Sequence, residues 1–137
     1  MSKAKVLIVD DDVTSSRLLG SGLERTGMFE VKVENVATRA LGSARQFKPD
    51  IIFMDVCMPG EDGTDIAFQV QKDPTLHGTP LVFLTSLISG QEATTQGNER
   101  GGREFLPKPA SLAKIIACIQ RHLPRQAQSP GTVPTAN

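Results

Sequence analysis

Four short apolar runs in this sequence each end in side chains that can handle phosphate. These side chains are Asp10, Asp11 and Asp12 after residues 6–9, Asp55 after residues 51–54, Thr85 and Ser86 after residues 81–84, and Lys108 after residues 105–107. Carboxylates that are held close together repel one another, and either a shared proton or a hard divalent cation with oxygen ligands relieves that repulsion. The acidic residues Asp10, Asp11 and Asp55 therefore predict a site for Mg²⁺.

The same set of side chains suits transfer of a phosphoryl group to a carboxylate. A Mg²⁺ ion that keeps some of its waters also binds phosphoryl oxygens, which lets an anionic carboxylate approach an anionic phosphate. Asp55 is then the candidate nucleophile for an aspartyl-phosphate. A hydroxyl of Thr85 or Ser86 can donate to a phosphoryl oxygen, and Lys108 can neutralise a further charge. Catalysis in such a site consists mostly of positioning and charge neutralisation.

Strand-like runs alternate with helical patterns along the chain, which is typical of a parallel sheet with helices on both faces. The strand-like runs are residues 5–9, 30–34, 51–54, 81–84 and, more weakly, 104–106. If these runs are neighbouring parallel strands, their carboxyl ends meet at one edge of the sheet. Open α/β sheets bind their ligands at that edge.

Four helical stripes of apolar residues lie between or after these runs. They are Leu18, Leu19, Gly22 and Leu23 before a stop at Gly27; Ala37, Ala40, Leu41 and Ala44; Ile66, Ala67 and Val70 before Pro74; and Leu112, Ile115, Ile116, Ile119 and Leu123 before Pro124. Residues 89–103 should supply a further helix, the fourth in chain order. That segment holds four glycines and a single apolar residue, Ala93, so we expect a short or loosely anchored helix.

Composition limits the remaining possibilities. A chain of 137 residues with 39% apolar residues is the size of one domain, which we place at residues 1–123. Residues 124–137 are polar and rich in proline, and we expect a disordered tail or linker there. Basic and acidic residues balance at 15 each, so no net charge attracts nucleic acid or a membrane. The start of the chain has too few apolar residues for a signal peptide, and we expect a cytoplasmic protein.

Four motifs in this order and at these separations resemble the receiver domain of bacterial two-component response regulators. They are Val9-Asp10-Asp11, Asp55-x-x-Met58-Pro59-Gly60-x-Asp62-Gly63, Thr85-Ser86 and Lys108-Pro109. The resemblance extends from Lys5 to about Leu123. It implies an α/β fold of the flavodoxin-like type, with a five-stranded parallel sheet of order 2-1-3-4-5, doubly wound with five helices.

The resemblance also assigns roles to individual residues. It implies that Asp55 is the phosphoacceptor, that Asp10, Asp11, Asp55 and the backbone carbonyl of Cys57 hold Mg²⁺, that Thr85 is the switch hydroxyl, and that Lys108 pairs with the phosphoryl group. It further implies a cis peptide bond between Lys108 and Pro109. The switch aromatic of the family falls on Phe105, which has no hydroxyl and would act sterically.

The function that this resemblance implies is a switch in a phosphorelay, rather than an enzyme that turns over a metabolite. A sensor histidine kinase or phosphotransfer protein would donate a phosphoryl group to Asp55, and the chain would hydrolyse it slowly. Phosphorylation would change the affinity for a downstream protein that the sequence does not identify. A homodimer through the face of the fourth and fifth predicted helices is a further expectation, and direct binding to nucleic acid or membrane is not expected.

Two other functions are compatible with parts of the sequence. Residues 10–14 also fit the D-x-D-x-T motif of haloacid-dehalogenase-like phosphatases, in which Asp10 would be the nucleophile, although no acidic residue follows Glu104 to complete that metal site. The other alternative is a receiver-like interaction module that is never phosphorylated.

Four residues near these motifs have simpler interpretations. We interpret Asp12 as a helix cap and Cys57 as a small residue at the rim of the site. His77 and His122 are interpreted as solvated side chains.

Overall fold

The computed structural model describes residues 3–58, 61–76, 78–85, 99–100 and 103–123. Five parallel strands form one sheet in the order 2-1-3-4-5, which confirms the predicted fold. The strands are β1 (Ala4–Val9), β2 (Phe29–Glu34), β3 (Ile51–Asp55), β4 (Leu81–Thr85) and β5 (Arg103–Pro107). Each of the five apolar runs in the sequence is therefore a strand, longer than predicted by one or two residues.

Four α-helices connect or follow these strands within the described residues. They are α1 (Val13–Arg25), α2 (Ala40–Phe47), α3 (Gly63–Lys72) and α4 (Leu112–His122). Short 3₁₀ turns at Ala37–Arg39 and Pro74–Leu76 precede α2 and follow α3, respectively. Gly27, just beyond α1, has a φ of +78°, the left-handed conformation that suits the predicted helix stop. None of the described helices is long and apolar enough to cross a membrane.

The predicted helix over residues 89–103 is only partly open to comparison, because residues 86–98 and 101–102 lie outside the described structure. Its end is extended and not helical, so the prediction is wrong there. Glu99–Arg100 form a two-residue strand antiparallel to the start of β5, and Arg103 already belongs to β5. The two glycines between them in the sequence disfavour helix, which agrees with this end of the segment being strand.

The sheet is covered by helices on both faces, because successive residues of each strand point to opposite sides. On one side, α1 and α4 pack over Val6, Ile8 and Phe53. On the other side, α2 and α3 pack over Leu7, Val9 and Ile52, among others. The two apolar cores leave the carboxyl ends of the strands as the place where polar side chains gather.

Two apolar residues assigned to core-facing helical stripes are not buried. Leu18 is 69% exposed and Leu112 is 37% exposed. The buried residues of α1 are Leu23, which belongs to the predicted stripe, and Ser16 and Gly20, which are among the smallest side chains in the helix. A scan for apolar side chains does not detect a contact face made by small residues, which is why the orientation of Leu18 was predicted wrongly.

Candidate functional site

The carboxyl ends of β1, β3, β4 and β5 meet at one edge of the sheet. The strand register places Val9 beside Met54, Asp55 beside Leu84, and Thr85 beside Pro107. Asp10, which directly follows β1, is 3% exposed, Asp55 is 5% exposed and Thr85 is 2% exposed. The strand ends therefore bring two carboxylates and a hydroxyl into a largely buried site, as the sequence predicted from their positions.

Three carboxylates form a cluster at this edge. Asp10, Asp11 and Asp55 each offer one carboxylate oxygen, and the three oxygens lie within 4.8 Å of one another. Asp10 and Asp55 are buried, whereas Asp11 is exposed. A set of oxygen ligands open to solvent on one side suits Mg²⁺, which keeps several of its waters. Cys57 begins a two-residue strand just after Asp55, paired with Glu61–Asp62.

Lys108 is the cation that faces these carboxylates. Its Nζ lies 2.9 Å from Oδ2 of Asp10 and 3.7 Å from Oδ2 of Asp55. Burial alone would lower the pKa of Lys108, but the hydrogen bond to Asp10 and the charges of Asp10 and Asp55 outweigh that effect and raise it. Lys108 therefore stays positively charged at neutral pH.

Lys108 lies directly after β5, and its backbone is hydrogen-bonded to β4. The Lys108 N–H donates to the carbonyl of Thr85 over 2.9 Å, which continues the pairing of β5 with β4. The Lys108–Pro109 peptide bond is cis. The loop after β5 thus brings a cation from a distant part of the sequence to the ends of β1 and β3.

Asp12 supports this edge from the start of α1. Its carboxylate accepts a hydrogen bond from the Ser15 N–H at 3.1 Å, which confirms the predicted helix cap. The hydrogen bonds from Ser15 hold the pKa of Asp12 below its usual value. The Asp12 N–H also donates to Oδ1 of Asp10 at 2.9 Å, so both oxygens of Asp10 are engaged, one by Asp12 and one by Lys108.

Two supporting residues were not identified from the sequence. The side-chain amide of Asn35 donates to the backbone carbonyl of Asp10 at 2.6 Å and to Oγ of Ser16 at 2.9 Å. Asn35 directly follows β2, the neighbour of β1 in the sheet, and Ser16 is buried in α1. The sequence shows that an amide follows a predicted strand at Asn35. Only the sheet order, which places β2 beside β1, shows that this amide lies near Asp10.

Phe105 lies on β5 beside Phe83 of β4, two residues before Thr85. The two rings are stacked, with centroids 5.0 Å apart and an angle of 26° between their planes. Phe105 is half-buried, while Phe83 is fully buried. The aromatic residue singled out in the sequence therefore packs on the strand that carries Thr85. Ser86 lies outside the described residues.

An unpredicted contact lies at the opposite end of β5. His122 is exposed at the end of α4, as interpreted from the sequence, and its Nε2 also lies 2.7 Å from Oε1 of Glu104. The pairing is a contact between α4 and β5, so it depends on how the helix packs on the sheet and not on neighbours in the sequence. His77 and the side chain of Cys57 lie outside the described structure.

Comparison with known proteins yields one family and a consistent set of relatives. Residues 6–120 match the family described as the response regulator receiver domain. Protein PilH of Pseudomonas aeruginosa is 34% identical over 117 residues, which cover 85% of this chain and 94% of PilH. Response regulator PleD of Caulobacter vibrioides is 36% identical over 117 residues, and the chain spans only 25% of its length.

Solved structures agree with the sequence comparisons. The chemotaxis protein CheY4 of Vibrio cholerae superposes with a TM-score of 0.75 at 29% identity, covering 89% of this chain and 100% of that protein. A putative response regulator from Chloroflexus aurantiacus gives the same TM-score at 28% identity, covering 90% and 100%, respectively.

Proposed function

Since the chain belongs to the response regulator receiver domain family, we propose that it is a phosphoacceptor that takes a phosphoryl group onto Asp55. The donor is a phosphohistidine on a sensor histidine kinase or a phosphotransfer protein. The observation that supports this proposal best is the contact of one ammonium group, that of Lys108, with two buried carboxylates at the sheet edge. Receiver domains act as signalling switches, and the buried carboxylates and the lysine at this edge support the same role for this chain.

In the proposed reaction a carboxylate oxygen of Asp55 attacks the phosphorus of the phosphohistidine. A new P–O bond forms while the P–N bond breaks, and the imidazole leaves with the electron pair and takes up a proton. Asp10, Asp11, Asp55 and the Cys57 carbonyl would hold Mg²⁺, which neutralises charge on the phosphoryl oxygens when bound. The buried position of Asp55, next to β4, holds its carboxylate in place before the donor arrives.

Lys108 is placed to respond to the new charge. Before phosphorylation, its closer partner is Asp10, at 2.9 Å, rather than Asp55, at 3.7 Å. A phosphoryl group on Asp55 adds negative oxygens on the side of the longer contact, so the ammonium shifts toward them. The pairing with Asp10 keeps Lys108 in position until then.

Thr85 and Phe105 form the proposed switch. The hydroxyl of Thr85, with Ser86 beside it in the sequence, donates to a phosphoryl oxygen, and its movement leaves space on the side of Phe105. Phe105 then changes its position against Phe83, with which it is now stacked at 5.0 Å. Because Phe105 has no hydroxyl, it shifts the balance between two conformations of the surface by packing alone.

The output is the change in that surface. We propose that it alters binding to a downstream protein, or to a second copy of the chain through the face of the fourth and fifth predicted helices, the fifth of which is α4, without direct contact to nucleic acid or membrane. Hydrolysis of the aspartyl-phosphate is slow and ends the signal, and the location is the cytoplasm. The match with this chain covers 94% of PilH. MtrA of Mycobacterium tuberculosis, at 28% identity, is a DNA-binding response regulator, and the chain spans 54% of its length.

The structure also bears on the two alternative functions, the haloacid-dehalogenase-like phosphatase and the module that is never phosphorylated. In a phosphatase of the haloacid-dehalogenase type, Asp10 would attack, but its two oxygens are engaged by the Asp12 N–H and by Lys108, which suits an orienting role. A module that is never phosphorylated would have no need for the buried carboxylates and their cation.

One labelling experiment separates these functions. The full chain is incubated with Mg²⁺ and acetyl phosphate, and an acid-stable, base-labile phosphoryl adduct is sought in wild type, Asp55→Asn, Asp10→Asn and Asp12→Asn. We expect wild type and the matched control Asp12→Asn to be labelled and Asp55→Asn to remain unlabelled. Labelling that survives Asp55→Asn but not Asp10→Asn would support the phosphatase. No labelling of wild type would support the silent module.

A further inference from the structure

We propose that Glu104, Cys118 and His122 form a binding site for a zinc-like divalent cation. This site is separate from the cluster of Asp10, Asp11 and Asp55, which we call the acidic edge. Glu104 is the second residue of β5, and the other two residues lie on α4. Glu104 precedes Lys108 by four residues, which is roughly 13 Å of extended chain. The site therefore lies toward the end of β5 away from the phosphoacceptor.

The three side chains converge without a bound ion. One atom from each, a carboxylate oxygen, a thiol sulfur and an imidazole nitrogen, lies within 4.8 Å of the other two. Oε1 of Glu104 is 2.7 Å from Nε2 of His122, and Oε2 of Glu104 is 3.8 Å from Sγ of Cys118. Neighbouring ligands of a tetrahedral zinc ion are separated by about 3.3 to 3.6 Å, so small side-chain movements would admit the ion.

The periodicity of α4 explains why two of the three proposed ligands lie close together. Cys118 and His122 are separated by four residues, so their side chains lie on the same face of the helix. That spacing is also the one by which a single helix presents two ligands to zinc. Glu104 completes the set from the strand beneath, so the packing of α4 on β5 forms the site.

The donor atoms select the type of ion. Sulfur, nitrogen and oxygen together suit Zn²⁺ and its neighbours in the transition series, whereas Mg²⁺ prefers oxygen alone. Three protein ligands leave the fourth position of a tetrahedral ion for water. The acidic edge and this cluster thus differ in the metal that each prefers.

Charge and access also fit a cation. The carboxylate and a thiolate are anionic ligands, and Arg121 Nη2 donates to Oε2 of Glu104 at 2.5 Å, an outer-shell contact that orients the carboxylate. Cys118 is fully buried, while the side chain of His122 is 30% exposed, so the ion enters past the imidazole. Binding of the ion releases the thiol proton to solvent.

Cobalt is a suitable probe because a thiolate bound to Co²⁺ gives a charge-transfer absorption band in the near ultraviolet. The full chain is titrated with Co²⁺ in excess Mg²⁺, which occupies the acidic edge, and Zn²⁺ is then added as competitor. We expect the band in wild type and in Cys57→Ser, which removes the only other cysteine of the chain. We expect no band in Cys118→Ser and at least about tenfold weaker binding in His122→Gln.

Cys118→Ser changes a buried residue and can misfold, so His122→Gln provides a second test at a partly exposed residue at the end of α4. Zinc should raise the Tm of wild type and Cys57→Ser and leave that of His122→Gln nearly unchanged. A wild type that gives no thiolate band up to millimolar Co²⁺ would overturn the proposal. So would a band that is lost in Cys57→Ser and kept in Cys118→Ser.

Discussion

Among single residues, Lys108 links Asp10, which follows β1, to Asp55 at the end of β3. Its ammonium group lies 2.9 Å from Asp10 and 3.7 Å from Asp55, and both carboxylates are buried. Removing a cation from buried carboxylates leaves charge without a partner, which is more damaging than losing an exposed ion pair. The residue that appears least distinctive in the sequence, a single lysine, therefore has a large electrostatic role.

We predict that Lys108→Met lowers the free energy of unfolding by about 1–3 kcal/mol when Mg²⁺ is chelated. Addition of Mg²⁺ restores part of this loss, because the metal supplies the missing positive charge. Urea unfolding with EDTA and with Mg²⁺ measures both effects, and Lys114→Met, at an exposed position of α4, is the matched control. Equal stability of Lys108→Met and Lys114→Met in EDTA would contradict this role for Lys108.

Asp73 offers a pH-dependent test of a second residue. Its carboxylate accepts hydrogen bonds from the Thr75 hydroxyl at 2.6 Å, from the Thr75 N–H at 2.9 Å and from Arg45 at 2.5 Å. These contacts, first those of Thr75, lower the pKa of Asp73 to about 2. A carboxyl with a lowered folded-state pKa stabilises the fold above its unfolded pKa, and this contribution disappears as pH falls toward 2.

We therefore expect Asp73→Asn to be less stable than wild type at pH 7, with a difference that narrows between about pH 4 and pH 2. Urea unfolding at several pH values provides the comparison, and Asp65→Asn, at an exposed position of α3, is the control. A difference between wild type and Asp73→Asn that stays constant down to pH 2 would show that the carboxylate charge is not involved.

At the scale of elements, α1 lies close to the sheet because its contact face includes glycine. A methyl group added at Gly20 would lie 3.2 Å from Cγ2 of Val33 and 3.3 Å from Cγ1 of Val31, both on β2. Gly42, on the exposed face of α2, has no atom within 4 Å of such a methyl group. The two glycines thus share helical geometry and differ in their surroundings.

This difference predicts opposite outcomes for one substitution. Gly42→Ala gains the helix propensity of alanine, and we expect it to stabilise the protein by about 0.5–1 kcal/mol. In Gly20→Ala the added methyl group crowds Val31 and Val33, whose β-branched side chains are stiff, and this offsets the gain in helix propensity. We therefore expect the free energy of unfolding of Gly20→Ala to be at least about 1 kcal/mol lower than that of Gly42→Ala. Thermal or urea unfolding of the two variants measures the gap. Equal stabilisation would mean that α1 is free to move away from the sheet.

The elements also show how far sequence reasoning reaches. The strands were predictable because buried parallel strands are short apolar runs, and the site was predictable because parallel strands end at one edge. The exposure of Leu18 was not, because two of the three buried residues of α1, Ser16 and Gly20, are small side chains that an apolar pattern does not mark. The roles of Asn35 and His122 depend on pairings between elements, which no local pattern encodes.

At the scale of the whole molecule, the proposed switch couples phosphorylation of Asp55 to the surface around β4, β5 and α4. Thr85 is the proposed link, and it is buried at the end of β4. If this coupling holds, phosphorylation and its conformational response are separable events. A variant at the link should then be phosphorylated and yet give no response.

We predict this behaviour for Thr85→Ala. Hydrogen exchange in peptides from β4, β5 and α4 should change in wild type when Mg²⁺ and acetyl phosphate are added. Thr85→Ala should carry a comparable amount of phosphoryl adduct and show little of that change, whereas Asp55→Asn should show neither adduct nor change. A full exchange response in phosphorylated Thr85→Ala would rule out the hydroxyl as the link.

Locating the phosphoryl adduct in the wild-type chain shows whether Asp55 is the residue that receives it. Borohydride reduces an aspartyl-phosphate to homoserine, which marks the modified residue permanently and can be located by peptide mass spectrometry. After incubation with Mg²⁺ and acetyl phosphate, we predict homoserine at position 55, and none when acetyl phosphate is omitted. Homoserine at position 10 or 11, with position 55 unchanged, would show that Asp55 is not the phosphoacceptor.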